Sequence, residues 1–205
     1  MQRYEVVTLT LPIGATGAAL PRIKQYLDET PSRGRFLACW YSDIGALNQI
    51  MVIRGYESAA VLAEEREAAL LAGNPFGIGD LVTDMEINDY APFPFLPPVE
   101  PGEKGPFYEV RVYGIKPSGL APTIEAWRGA VPARTEISPL TIAMYAVDGK
   151  APRFMNIWPY PSLDARNKAR ADAVAAGIWP PKGGPAHLTD LASSIFLPAS
   201  FSPLR

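Results

Sequence analysis

An internal repeat constrains this chain more than any other feature of its sequence. Tyr4-Glu5-Val6 returns as Tyr108-Glu109-Val110, Tyr41 as Tyr145, Tyr56 and Ser58 as Tyr160 and Ser162, and Arg66 as Arg170, each pair 104 positions apart. One spacing kept at separated places marks a duplication, and each copy must then be a similar structural unit. Between the copies lies a stretch holding Pro92, Pro94, Pro97, Pro98, Pro101 and Pro106. Proline gives no N–H to a ladder and stiffens the chain. The expected organisation is a first half over 1–92, a linker over 93–106 and a second half over 107–205.

Within each copy the periodicities spell the same order of elements. Residues 3–11 alternate, with Tyr4, Val6 and Thr8 on one side and Glu5, Val7 and Leu9 on the other, which predicts a strand. Leu20, Ile23, Tyr26 and Leu27 have helical spacing over 18–30, with Pro21 expected in the first turn. Apolar segments 36–42 and 47–56 flank Ser42-Asp43-Ile44-Gly45 and predict a hairpin. Ser58 is placed to cap a helix from Ala59 to Ala72 that ends at Gly73, and a last strand is expected from Leu81 to Asn88. The second copy gives a strand over 107–116, a helix over about 119–131 and a hairpin of 140–147 with 153–160. Ser162 is placed to cap a helix ending at Gly177, and a strand follows over about 190–197. The order β-α-β-β-α-β is the ferredoxin-like plan. Its sheet carries helices on one face, so the bare face needs a second sheet, and the other half is the obvious partner.

Composition excludes several classes of function. Apolar residues make up 48% and charged residues 20%, with a formal net charge of -2. A nucleic-acid partner is not expected at that charge, nor membrane insertion without a long apolar segment. The first residues read as a strand rather than a leader, and Cys39 is the only cysteine, which together lead to an expected cytoplasmic setting. Homo-oligomerisation is left open. A single histidine, His187, and no cluster with ligand spacing lead us to expect neither a metal nor a cofactor. Lys182-Gly183-Gly184 lacks the spacing of a phosphate loop, and Gly77-Ile78-Gly79 lacks the frame of a dinucleotide motif.

The run Cys39-Trp40-Tyr41-Ser42-Asp43-Ile44-Gly45-Ala46-Leu47-Asn48-Gln49, with Tyr56-Glu57-Ser58 and Arg66 beyond it, resembles the NIPSNAP family. So do Phe107-Tyr108-Glu109-Val110-Arg111-Val112-Tyr113, Lys116-Pro117-Ser118-Gly119-Leu120 and Asn156-Ile157-Trp158-Pro159-Tyr160-Pro161-Ser162-Leu163. The resemblance implies a dimeric α+β barrel, two ferredoxin-like units closing one barrel. Fold relatives include cofactor-free monooxygenases, haem-degrading enzymes and isomerases, an analogy that carries no chemistry. Members often read His-x-Trp-x-Tyr on the third strand. Here Val52-Ile53-Arg54-Gly55-Tyr56 lacks the histidine and tryptophan, and the second copy lacks the histidine.

Two polar rows are candidates for ligand contact. Glu109, Arg111 and Tyr113 alternate on one strand and so share a face. We expect that face to line the barrel and Tyr108, Val110 and Val112 to meet the helices, with Arg111 paired to a carboxylate. The row is then either a ligand site or a structural Glu–Arg bridge. In the first half Glu5 keeps only the carboxylate of that row. Asn48, Val52, Arg54 and Tyr56 share a face of the third strand, and Arg54 either holds an anionic group or pairs with Glu5. Asn156 and Trp158 complete the candidates. Two functions follow: binding, with or without transformation, of a small aromatic or lipid-like molecule inside the barrel, or a protein–protein interaction module whose barrel is solid core.

Overall fold

The computed structural model describes residues 1–205. The chain runs β1 (Arg3–Thr10), α1 (Thr16–Glu29), β2 (Arg35–Ile44), β3 (Gln49–Tyr56), α2 (Ala59–Ala72) and β4 (Asp84–Pro92). It then repeats that order as β5 (Phe107–Ile115), α3 (Leu120–Ile137), β6 (Ile142–Ala146), β7 (Arg153–Tyr160), α4 (Leu163–Ala175) and β8 (Leu188–Pro198). The strands close into one antiparallel barrel in the order β1-β3-β2-β8-β5-β7-β6-β4. Each half thus contributes a four-stranded ferredoxin-like sheet, and the halves join at both edges, β2 to β8 and β4 to β6. No strand edge is left unpaired, which removes the usual route to edge-to-edge association.

The register carries the repeat into three dimensions. Tyr56 lies opposite Arg3 and Tyr160 opposite Phe107, while Glu5 faces Arg54 and Glu109 faces Trp158. Residue i therefore sits where residue i + 104 sits in the other half. The last strands are offset by two more: Val6 pairs with Asn88, and Val110 with Ser194.

The faces of the strands are the reverse of those expected. Tyr4, Val6, Met51 and Ile53 of the first half and Tyr108, Val110, Met155 and Ile157 of the second belong to one buried cluster inside the barrel. Val7, Leu9, Ile50 and Val52 instead pack with Ile23 of α1, and Phe154 and Trp158 with Trp127 of α3. Glu109, Arg111 and Tyr113 share that outer face, beneath α4. The reason is geometric. The interior of the barrel is packed by its apolar cluster except at one end, whereas arginines under the helices can run their stems along apolar surface towards solvent.

Several boundaries also move. β4 begins and ends later than expected because Tyr90, Ala91 and Pro92 pair with β6 of the other half. α3 continues through Pro132 to Ile137, so proline costs one hydrogen bond there without ending the helix. Pro21 lies in the second turn of α1, not the first. Ser162 caps α4 by accepting from the Ala165 N–H, whereas Ser58 at the same place on α2 makes no such bond. Gly73 ends α2 at a φ of 64°, in the left-handed region that favours glycine.

The proline-rich connection is packed rather than free. Val99 joins the barrel cluster and its N–H donates to the Tyr4 hydroxyl at 3.1 Å. Leu204 enters the same cluster, and its carbonyl accepts from Trp40 Nε1 at 2.9 Å. Together they close one end of the barrel. Its middle is filled by Trp40 of one half stacked on Tyr108 of the other, ring centroids 4.2 Å apart. The far end keeps a cavity of about 250 Å³, whose lining includes Thr8, Gln49, Asn88, Val112, Arg153 and Ser194. No helix is long and apolar enough to cross a membrane.

Candidate functional site

The first half holds a cleft between the outer face of its sheet and the helix pair α1 and α2. Two adjoining voids, of about 30 and 340 Å³, share Tyr26, Arg54 and Ala69 in their walls. Leu27, Phe36, Ala68 and Ala72 line the larger one, and Phe76 the smaller. Arg54 forms the floor because β3 alternates: its neighbours Met51 and Ile53 point into the barrel, and Arg54 points to the helices with Val52.

Charge at this floor is balanced. Glu5 is 1% exposed and accepts on one oxygen from Nη2 and Nε of Arg54, at 2.6 and 3.1 Å. Its other oxygen meets Nε of Arg66 from α2 at 3.3 Å. Arg66 also reaches Asp148 at 2.7 Å, a residue of the β6–β7 turn in the other half. Arg3 and Asp89 add a pair at 3.5 Å. The Arg54 guanidinium lies 5.4 Å from the Phe76 ring and 5.8 Å from that of Tyr56. Nε and Nη2 of Arg54 are spent on Glu5, so Nη1 is the donor left for a guest in the cleft. Burial raises the Tyr56 phenol, which stays protonated and donates to Glu65 at 3.0 Å.

Burial also pushes the Asp89 carboxyl up to about 6 from its ordinary 3.8, against Arg3 and Arg66 and with Asp148 and Glu5 adding to the rise. The folded value lies above the unfolded one, so the folded state holds the extra proton and ionisation of Asp89 opposes folding. The associated stability is full below about pH 4 and is lost as pH rises through about 6. Asp89→Asn should therefore gain stability relative to the parent protein across that window. Urea midpoints at pH 4.5, 5.5 and 6.5 measure this, and a difference that does not change with pH would contradict it.

The second half has the same frame with different contents. Glu109 is fully buried, and one of its oxygens accepts from Arg111, Arg166 and Ser193 at 2.6, 2.5 and 2.8 Å. Arg170 approaches its other oxygen at 3.9 Å. Burial alone would raise this carboxyl, but the Arg166 hydrogen bond, the Arg111 charge and the Ser193 hydroxyl hold it below the usual range. Arg111 also donates to Tyr113, whose phenol is raised by burial against the pull of Arg111. Trp158 stands where Arg54 stands in the first half, and its indole donates to Asn156 at 2.7 Å. The rings of Trp127 and Trp179 pack at 6.3 and 5.7 Å from it, and the Arg134 guanidinium lies 4.5 Å from its ring. These groups occupy the space that is open around Arg54.

The candidate residues therefore divide. Glu5, Arg54 and Tyr56 come together at the first-half cleft, and Glu109, Arg111, Tyr113, Asn156 and Trp158 under the second-half helices. None of them faces the barrel interior. Asn48 joins neither group: it sits in the β2–β3 turn with a φ of 58°. Arg111 does have its carboxylate partner, and that partner is Glu109. Cys39 is buried core, its thiol pushed up to about 12 by burial. His187 lies in a short turn before β8, away from both sites. No group of three or more His, Cys, Asp or Glu side chains is arranged to hold a metal ion. The residues not anticipated are Arg66, Asp148, Asp89, Arg166 and Arg170. Arg66 and Arg170 had a signal, a charged helix position kept in both copies. Asp148 had none, because its bond to Arg66 crosses the seam between halves, and Asp89 had none, because only the β1–β4 pairing brings it to Arg3.

The NIPSNAP family model matches residues 4–76 and 108–203. No curated protein matches the chain. Among solved structures, an anthrone oxidase-like protein superposes with a TM-score of 0.69 at 12% identity, over 97% of this chain and 91% of its own. A protein from Lactobacillus acidophilus NCFM, provisionally assigned as a monooxygenase, gives 0.70 at 10% identity, over 96% and 94%. A NIPSNAP family protein from Agrobacterium tumefaciens is 23% identical over 48% of this chain and 98% of its own, with a TM-score of 0.45. At such identities the two full-length likenesses are of fold, the dimeric α+β barrel.

Proposed function

This chain belongs to the NIPSNAP family, in a form that carries both halves of a dimeric α+β barrel on one polypeptide, and from that premise we propose that it binds a small aromatic or lipid-like molecule in the first-half cleft over Arg54. One observation carries the reading: a buried arginine with one uncommitted donor floors a void of about 340 Å³ walled by Tyr26, Leu27 and Phe36. That volume is at the lower end of small-molecule sites, which run from roughly 300 to 1,000 Å³ and combine apolar walls with few polar groups. The charges beneath the cleft are already matched, so the guest needs an oxygen acceptor for Arg54 rather than a full charge. Aromatic ketones, phenols and medium-chain alcohols have that form.

The second half supports the assignment by contrast. The same frame with Trp158 in place of Arg54 is filled by its own side chains. An interaction module is the second reading, favoured by the stacked Trp40–Tyr108 pair that blocks the middle of the barrel.

Ala69 touches both voids, so Ala69→Phe fills the cleft without removing any member of the Glu5–Arg54–Arg66 set. A thermal-shift panel of oxygen-bearing aromatic and aliphatic molecules, each beside its hydrocarbon counterpart, tests the proposal. Oxygen-bearing members should raise the melting temperature of the parent protein and leave Ala69→Phe unmoved. An equal response from both proteins would place the guest elsewhere, and no response from the parent would favour the interaction module.

A further inference from the structure

The duplicated frame permits a charge comparison between the two halves, position by position. In the first half, Glu5, Asp89 and Asp148 stand among Arg3, Arg54 and Arg66, three acids with three bases. In the second half Glu109 meets Arg111, Arg166 and Arg170, one acid with three bases. The register shows where the two carboxylates went. Asp89 pairs with Glu5, and Ile195 pairs with Glu109. Asp148 sits 104 positions after Ile44, and Ile44 pairs with that same Ile195. Two isoleucines thus replace the two acids, while Arg111 and Arg166 stand where the first half has Val7 and Leu62.

The result is a surplus of two positive charges in a half-buried place. Arg111, Arg166 and Arg170 have side chains 15, 23 and 36% exposed, so the cluster opens to solvent along α4. Arg166 and Arg170 are four apart on α4 and share a helix face. Nε of Arg166 and one oxygen of Glu109 are buried without a hydrogen-bond partner. Like charges crowded out of water are costly unless a counter-charge joins them. Guanidinium groups hold oxyanions through paired N–H donors, and phosphate is the dianion they fit best.

We propose that Arg111, Arg166 and Arg170 form a binding site for a phosphate-class dianion, whose two charges stand in for the carboxylates present in the first half. The ligand is free phosphate or the phosphate of a small organic ester. The site is independent of the Arg54 cleft and takes a different chemistry, a charge rather than a neutral acceptor.

Ile44→Asp is the most telling variant, because it returns to Arg170 the carboxylate that Asp148 gives Arg66. Arg170→Gln removes a donor directly, and Lys168→Gln removes the same charge from an exposed position of the same helix, 76% exposed. Melting temperature is read against inorganic phosphate and glycerol phosphate, with sodium chloride at matched ionic strength as the reference. At about a hundredfold excess over the dissociation constant the parent and Lys168→Gln should rise by roughly 5–10 °C. Ile44→Asp and Arg170→Gln should lose that rise. A response to inorganic phosphate identifies the free ion, and a response to the ester alone identifies a ligand-borne group. The proposal is overturned if neither exceeds chloride, or if Ile44→Asp and Arg170→Gln respond like the parent.

Discussion

Replacing Glu109 by leucine is expected to lower the unfolding free energy by about 3–5 kcal/mol, the range for breaking a buried ion pair from one side. The carboxylate is fully buried and is the sole acid facing Arg111, Arg166 and Arg170. Its loss leaves three guanidiniums facing each other under α4, and it also strips the Ser193 hydroxyl of its acceptor. The Arg35–Glu100 pair supplies the reference. Its side chains are 47 and 69% exposed, and Glu100→Gln should cost only about 0–1 kcal/mol. Urea unfolding of both variants measures the difference. If Glu109→Leu lost no more than Glu100→Gln, the cluster would be hydrated rather than buried.

Trp40→Ala should cost a similar amount, about 3–5 kcal/mol, for a different reason. Trp40 is fully buried at the middle of the barrel and stacks on Tyr108 from the opposite half. Truncation opens a cavity that the surrounding strands, fixed by the closed ladder, cannot collapse to fill. It also removes the indole donor from the Leu204 carbonyl, so the barrel end formed by the tail should loosen as well. The check is the unfolding midpoint together with amide exchange at Leu204, which should quicken. A loss below 1 kcal/mol would mean that the barrel interior is not the shared core of the two halves.

The fold was legible in the sequence because duplication prints it twice. The spacing between Tyr4-Glu5-Val6 and Tyr108-Glu109-Val110 already contains the register that pairs Tyr56 with Arg3 and Tyr160 with Phe107. Family membership was legible for the same reason, in the hairpin around Gly45 to Asn48 and in the opening of the second copy. The orientation of the strands was not. Alternation shows that Glu109, Arg111 and Tyr113 share a face, but both faces of these strands are buried: Tyr4, Glu5, Val6 and Val7 are 1, 1, 1 and 3% exposed. Polarity then gives no sign of which side is inward, and the charges expected inside the barrel lie under the helices. The cleft over Arg54 escaped for a related reason. It exists because Arg54 and Ile23 stand where the second half has Trp158 and Trp127, with alanine at both 69 and 173, a fact visible only beside the second half. Asp148 was silent because pairing between halves leaves no local pattern, and Asp89 because the β1–β4 pairing that sets it beside Arg3 joins residues far apart in the chain.

The location of the guest decides the account most directly. An amide and methyl chemical-shift titration, using the tightest binder from the oxygen-bearing panel, maps it residue by residue. A guest in the first-half cleft should gather perturbations at Tyr26, Leu27, Phe36, Ala69 and Phe76. Perturbations gathered instead at Val6, Val110, Val112 and Ser194, around the open end of the barrel, would contradict it.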